Sequence, residues 1–590
     1  MVLEQAGRLG ERPFLWARRE GRYQPLSGAE VAAGIVGLAH GLTALGVARG
    51  DRVMLVAENR PEWLMADVAI MAAGAITVPA YTTNTPADHR HILDDARPRV
   101  VIVSTPALTG QVVKAIVGCA TPPVVVTIEP PPSPLPPGAT VLTWAEVVAR
   151  GGREVGMPPA VAAGGRDDTA CIIYTSGTGG APKGVMLSHG AILHNCMGAW
   201  HVLAEIGLDD EVFLSFLPLS HSYEHTAGQF FPASIGAQIY YAEGIDRLAV
   251  NMAEAHPTIM TAVPRLYESM RARILNAVHR QGGLKKRLFL KTLDLGRRRY
   301  EAPEGLGLAE RVLDRVLDRL VRRKVAERFG GRLKAMVSGG APLNYDVGLF
   351  FVALGVPILQ GYGQTESAPV VSCNRRSRIR LQTVGPALPG VEVRIADDGE
   401  ILVRGPLVMQ GYWNDPVATA AAINSEGWLH TGDVGVIDPD GFIRITDRKK
   451  DIIVNSGGDN ISPQRVEGFL TLEPEIAQAM VYGDRRPHLV ALIVPDQAFA
   501  SAWAAENGRP DGLDEGGGLA TLRHDAAFIK AIGAAVDRVN RTVSPLEKVR
   551  RFLITDQEFS IANGTLTPTL KIRRHRIRDL YGADLERLYE

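Results

Sequence analysis

The chain has 590 residues, 46% of them hydrophobic and 22% charged, the balance of an ordinary globular protein, which excludes a disordered or fibrous chain. Lys+Arg 64 cancel Asp+Glu 64, so a uniformly basic nucleic-acid-binding surface and an acidic tail are both excluded. Cys119, Cys171, Cys196 and Cys373 show neither C-x-x-C nor Cys/His metal spacing, which argues against a disulfide scaffold or zinc ribbon and for a reducing, cytoplasmic location.

The opening MVLEQAGRLGERPF places acids and glycines where a secretion signal needs an apolar run. From Val53 to Ala57 the sequence reads as a strand, PEWLMADVAIMAA as a helix opened by Pro61, and Ala75 to Ala80 as another strand, a β-α-β unit. The greasy stretch from Leu64 to Tyr81 holds Asp67, Gly74 and Pro79 and so reads as buried helix and strand, not a membrane span. Further Val/Ile runs at 100–103, 124–128, 170–175, 333–338 and 356–360 alternate with helical patterns, the mark of helix-covered parallel sheets. Pro130 to Pro137 is read as a stiff connector.

Between Glu268 and Lys334 the sequence is helical and rich in arginine. Leu308, Val312, Val316 and Leu320 form one ridge, with Leu313, Leu317, Val321, Val325 and Phe329 beside it, and this stripe is expected to pack. Arg297-Arg298-Arg299 and Arg322-Arg323-Lys324 are candidates for contact with anionic headgroups or acidic partners. From Gly390 onward hairpins turn at Asp398-Gly399 and at Asp438 to Gly441. The simplest partition is a large α/β body, residues 1–446, and a smaller α+β lid, residues 447–590.

The strongest chemical signal is ACIIYTSGTGGAPKGVMLSH, residues 170–189. A buried strand empties into a small-residue turn, followed by Lys183 and an expected helix. Backbone N–H groups around Gly177 and Gly180, hydroxyls of Thr175, Ser176 and Thr178, and the charge of Lys183 suit phosphate oxygens. It is not a Walker A loop, because Pro182 precedes the lysine and Gly184 follows it.

YTSGTGGAPKGV resembles the phosphate loop of the adenylate-forming (AMP-binding) superfamily, with Gly179 in place of the second threonine of the usual TT pair. Other segments resemble that family's motifs in order: LPLSHSYEH with His221, SGGAPL with Gly339, Gly340 and Ala341, GYGQTES, GWLHTGD, DRKKDIIVNSGGDNISP and TLTPTLKIRR. The resemblance implies an α/β body with a β-barrel-like part and a mobile α+β lid. It also implies roles. His221 gates the acyl and nucleotide pockets, Tyr362, flanked by Gly361 and Gly363, stacks on adenine, and Thr365 holds the α-phosphate. Glu366 binds Mg²⁺, Asp433 binds the ribose, and Arg448 reaches the nucleotide. Lys450 is the hinge, Gly457 and Gly458 let coenzyme A pass, and Lys571 is the catalytic lysine.

The implied reaction is attack of a carboxylate on ATP, giving acyl-AMP and pyrophosphate, then transfer to coenzyme A. The helical insertion before VSGGAPL, Glu224 after HSY, and Leu570 before Lys571 resemble the long-chain fatty acid–CoA ligases. Small-molecule substrates (fatty acid, ATP, coenzyme A) and a peripheral membrane contact are the expected partners, with no nucleic acid; the oligomeric state is left open. Three alternatives stand beside this one: a fatty acyl-AMP ligase serving a carrier protein, a phosphotransferase, and a non-catalytic lipid-binding or membrane scaffold.

Overall fold

β-Branched residues fit a pleated surface, and here that surface is covered on both faces. In the computed structural model, which describes residues 1–131, 139–152, 156–175, 181–508, 518–567 and 571–590, the strands Arg52–Val56, Ile76–Pro79, Val100–Val103, Val124–Thr127 and Thr169–Thr175 pair in parallel within one eight-stranded sheet. Val53 and Leu55 face a core shared with a second sheet, whereas Met54 and Val56 face the helices Pro86–Ala96 and Pro106–Ile116. All four are fully buried, as both-face coverage requires. Helix Pro61–Ala72 packs into the shared core, and the stretch 64–81 is a buried helix followed by a buried strand. Among the described residues no helix is long and apolar enough to cross a membrane.

The second eight-stranded sheet runs in the order Val370–Cys373, Ile358–Gly363, Ala335–Ser338, Ile259–Ala262, Val212–Ser215, Gln238–Tyr241, Pro13–Arg19, Arg22–Ser27. A four-stranded antiparallel sheet follows, from Glu392–Ile395 to Ile443–Arg448, turning at Gly399 with φ +85°. Its last strand pairs Arg448 with Asp433, so pairing with the body continues past residue 446. Beyond it, Ile476–Tyr482, Leu489–Pro495 and Val549–Ile554 form a three-stranded sheet over a separate core that includes Val466, Ala491, Phe528 and Ile532, the property of an independent domain.

Two expectations are corrected. Lys183 does not lead into a helix: Lys183–Ser188 is a strand antiparallel to Thr169–Thr175, and the helix starts at His189, capped by the Ser188 hydroxyl. Val185 and Leu187, two residues apart, are both buried on the sheet, a period that belongs to strands. The strand Lys183–Ser188 thus separates Lys183 from the helix N-terminus at His189.

The apolar stripe of the arginine-rich segment does not pack as a unit. Leu317 and Phe329 are buried, while Leu308, Val312, Val316 and Leu320 are exposed. The arginine triplets are also mostly engaged: Arg322 is buried against Asp314, and Arg297, Arg298 and Arg299 pair with Glu301, Glu310 and Asp314. Most of the proline-rich connector, from residue 132 on, lies outside the described residues.

Candidate active site

Four motif loops leave the carboxyl ends of strands. Thr175 ends Thr169–Thr175, Leu217 to His225 follows Val212–Ser215, Gly339 follows Ala335–Ser338, and Gly361 to Gly363 end Ile358–Gly363. Loops splay apart at the carboxyl edge of an open parallel sheet and leave a crevice for ligands.

Of the phosphate loop, Ser176, Gly177, Thr178 and Gly180 lie outside the described residues; Thr175 and Lys183 flank them. The Lys183 ammonium sits 5.0 Å from the centre of the Tyr412 ring and 3.8 Å from Asp415 Oδ2. The Tyr412 hydroxyl in turn donates to Glu366 Oε1 at 3.0 Å. Two residues expected from different motifs, Lys183 and Glu366, thus meet across one tyrosine. Tyr412 escapes sequence reasoning because only the pairing of the short strand Gly411–Tyr412 with Met186 and Val185 brings it there. Among the described residues Glu366 Oε2 has no hydrogen-bond partner, and no group of three His, Cys, Asp or Glu converges. That donor set suits a hard cation carried in with phosphate oxygens better than a protein cage.

His221 Nδ1 accepts the Tyr223 N–H at 3.2 Å, which leaves the ring proton on Nε2. Burial, and then the charge of Lys571, push the imidazole pKa down to about 3, so it stays neutral through the physiological range. Ser222 Oγ lies 3.1 Å from Thr365 Oγ1, joining the His221 segment to the GYGQTES turn. Ser222 is a further site residue that no motif rule singles out.

Two motif glycines answer to the chain's own packing. A Cβ at Gly363 would lie 1.7 Å from the Pro369 carbonyl oxygen, and one at Gly339 would lie 3.0 Å from the Tyr223 ring. Only glycine permits such approaches. The Tyr223 hydroxyl donates to the Val337 carbonyl at 2.8 Å, so the loop carrying Gly340 and Ala341 is built directly over the residue next to Ser222. Gly361 is held in the antiparallel pairing with Cys373.

The Tyr362 hydroxyl donates to Asp433 Oδ2 at 2.8 Å, and Arg448 Nε lies 3.2 Å from Asp433 Oδ1. Burial raises the Asp433 pKa, against the opposing pull of Arg448 and Tyr362. Lys571 joins this group from the lid. Its charge is felt at His221, and Arg448, Asp433, Glu366 and Asp451 act on its own ionisation. Lys571 is exposed to solvent, yet the protein around its ammonium still costs it hydration. Its pKa is lowered by this burial first and by Arg448 second, with the three carboxylates opposing. The Lys571 N–H donates to Thr567 Oγ1 at 3.0 Å. The lid is docked by Arg265 Nη1 to the Ala477 carbonyl at 2.9 Å and by Asn344 Nδ2 to the Gly468 carbonyl at 3.3 Å.

Three expected residues lie apart from this cluster. Gly457 and Gly458 occupy an exposed turn between Ile453–Val454 and Asn460–Ile461, where Asn455 Oδ1 accepts the Gly457 and Asp459 N–H groups. Lys450 is exposed just after the last strand of the body.

Residues 2–413 match the family described as AMP-binding enzyme, and residues 450–590 match the AMP-binding enzyme C-terminal domain. A long-chain-fatty-acid–CoA ligase of Mycobacterium bovis is 36% identical over 97% of this chain and 93% of its own length. A peroxisomal long chain acyl-CoA synthetase of Arabidopsis thaliana is 31% identical over 97% of this chain and 82% of its own. Among solved structures, the adenylation domain of a Mycobacterium chelonae carboxylate reductase superposes with TM-score 0.76 at 20% identity, covering 100% of this chain and 90% of that one.

Proposed function

The chain belongs to the AMP-binding enzyme family, and we propose that within it this protein is an AMP-forming acid–thiol ligase that converts a long-chain fatty acid to its acyl-CoA through an acyl-adenylate. The observation that carries the reading is the joining of the motifs by direct contacts: Tyr412 links Lys183 to Glu366, Ser222 meets Thr365, and Tyr362 and Arg448 hold Asp433. A carboxylate attacking a phosphate brings anion against anion, and the site's task is to offset that charge and hold the line of attack.

Lys183 and Lys571 supply positive charge, one from the body and one from the lid. Thr365, fixed by Ser222, presents a hydroxyl toward the α-phosphate. Asp433 takes the ribose hydroxyls, Tyr362 lies against the adenine, and Arg448 steadies the carboxylate of Asp433. Neutral His221 turns its Nε2–H to the cleft and separates the acid from the nucleotide without adding a charge. Glu366 would hold Mg²⁺ entering with ATP, which neutralises the phosphate oxygens.

Withdrawal of Lys571 and presentation of the Gly457–Gly458 turn to the cleft, by rotation about Lys450, prepare the site for the thiol. The division of body and lid near residue 446 belongs to the same reading, supported by the separate core of the lid. Peripheral contact with a membrane follows from the substrate, since a long acyl chain partitions into bilayers.

The test is an acid panel from acetate to oleate with ATP, Mg²⁺ and coenzyme A. AMP release is expected to be fastest with chains of about twelve carbons or more, because each buried methylene adds about 0.8 kcal/mol. Preference for acetate or an aryl acid would overturn the chain-length reading. Adenylate formation with little thioester would favour a carrier protein as acceptor.

A further inference from the structure

Helix Leu308–Leu317 continues into the π-helical turn Asp318–Arg322. Glu310 and Asp314, four residues apart, face the body, while Asp318, one turn on, stays exposed. Glu310 is paired with Arg298, Asp314 with Arg299 and Arg322, and Asp318 with Arg322. Leu317 is fully buried. Arg322 is itself buried, with Nε donating to the Ala353 carbonyl at 2.8 Å and Nη2 to Asp314 Oδ1 at 2.6 Å. A buried arginine held by a carboxylate and a carbonyl is costly to expose, so the helix is locked with this side inward.

The opposite side is set by the same lock. Leu308 is 82% exposed, Val312 59%, Val316 46% and Leu320 48%, with Leu313 alongside at 38%. These are one continuous ridge, not scattered surface leucines, and soluble surfaces seldom carry such a row without a partner. Interleaved with it are Arg311, Arg315, Arg319 and Arg323, all exposed. Among the described residues Arg315 and Arg319 have no carboxylate within 4.0 Å and Arg323 reaches Glu327 alone, at 4.0 Å; Lys324 lies one residue on. Glu310 and Asp314 are inward and paired, Asp318 is exposed, and the cations Arg311, Arg315, Arg319 and Arg323 are outward beside the apolar row.

We propose that this ridge is a docking surface for an anionic phospholipid bilayer. The helix lies in the plane of the interface, with Leu308, Val312, Val316 and Leu320 among the upper acyl chains and Arg315 and Arg319 on lipid phosphates. Shallow burial of one face beside a row of cations is the chemistry of an interfacial helix, and the arginines select negative headgroups. None of the ridge residues belongs to the group formed by Lys183, His221, Glu366, Asp433 and Lys571, so variants of the ridge leave the site's own residues intact. The proposal rests on the fatty-acid reading only for the benefit of docking, not for the contact itself.

The experiment is co-sedimentation of the full chain with vesicles of phosphatidylcholine alone and of phosphatidylcholine containing phosphatidylglycerol, at low and high salt. Binding to the anionic vesicles, weakened by salt, is expected. Arg315→Gln with Arg319→Gln should reduce it on the order of tenfold or more, and Val312→Asp with Val316→Asp should abolish it. Both variants should keep the wild-type melting temperature and the wild-type rate on an acid soluble without vesicles. Equal binding of wild type and both variants overturns the proposal. So does a wild-type dimer that the Val312→Asp, Val316→Asp variant converts to monomer, which would make the ridge an interface between two copies. A vesicle-binding protein with the wrong acid preference would refute the substrate reading and leave the docking surface standing.

Discussion

The Tyr362 hydroxyl donates to Asp433 Oδ2 at 2.8 Å while Arg448 Nε approaches Asp433 Oδ1 at 3.2 Å, so both oxygens of one buried carboxylate are oriented before any substrate arrives. Tyr362→Phe removes the hydroxyl and keeps the ring. A hydrogen bond to a charged group contributes about 1.5–3 kcal/mol, and the expected result is a rise in KM for ATP of about tenfold. Calorimetric titration with AMP separates this loss of affinity from any change in kcat.

Lys571 is expected to act as an ammonium, and its pKa lies below the ordinary lysine value of 10.5 because burial and Arg448 both disfavour the charge. The basic limb of the adenylation rate should therefore fall below pH 10.5. Arg448→Gln removes one of the two lowering causes, so the limb should move to higher pH even though nucleotide affinity drops. A limb that moves down, or stays fixed, contradicts the assignment. Lys571→Ala should lose adenylation by about a hundredfold or more and still convert preformed acyl-adenylate to thioester.

Glu224 is fully buried, accepting hydrogen bonds from Ser215 Oγ at 2.6 Å and Thr261 Oγ1 at 2.5 Å. Burial nevertheless raises its pKa from 4.5 to about 7. The folded chain holds this proton more tightly than the unfolded chain, so stability from this group is complete below pH 4.5 and is lost as pH rises to about 7. The loss is on the order of 3 kcal/mol. Glu224→Gln should flatten the decline in melting temperature across that window, measured by calorimetry at a series of pH values.

His225 Nε2 and Asp67 Oδ2 are 2.8 Å apart, and both side chains are fully buried. Truncating one partner leaves the other polar group without its bond inside the core. His225→Ala should destabilise the protein by about 3 kcal/mol, read as a lower midpoint in denaturant with an unchanged m-value. A loss below about 0.5 kcal/mol would show that the pair contributes little beyond its packing.

The sequence by itself determined the layers and supplied the candidates for the site. Alternation of Val/Ile runs with helical patterns is a local property of the chain, and it located the parallel strands at 52–56, 76–79 and 100–103 to within a residue or two. The motif residues His221, Thr365, Glu366, Asp433 and Lys571 were legible because each type carries its chemistry wherever the chain places it. Tertiary structure decided what neighbours those residues have. A segment read as helical after Lys183 became a strand because Val185 and Leu187 bury on a sheet whose other strand, Thr169–Thr175, lies across the phosphate loop. Tyr412 entered the site through pairing with a strand more than two hundred residues earlier. The ridge from Leu308 to Leu320 has the same period whether it faces core or solvent, and only the burial of Arg322 against Asp314 and the Ala353 carbonyl turned it outward. Periodicity fixes that a helix has an apolar side; the inward anchor fixes where that side points.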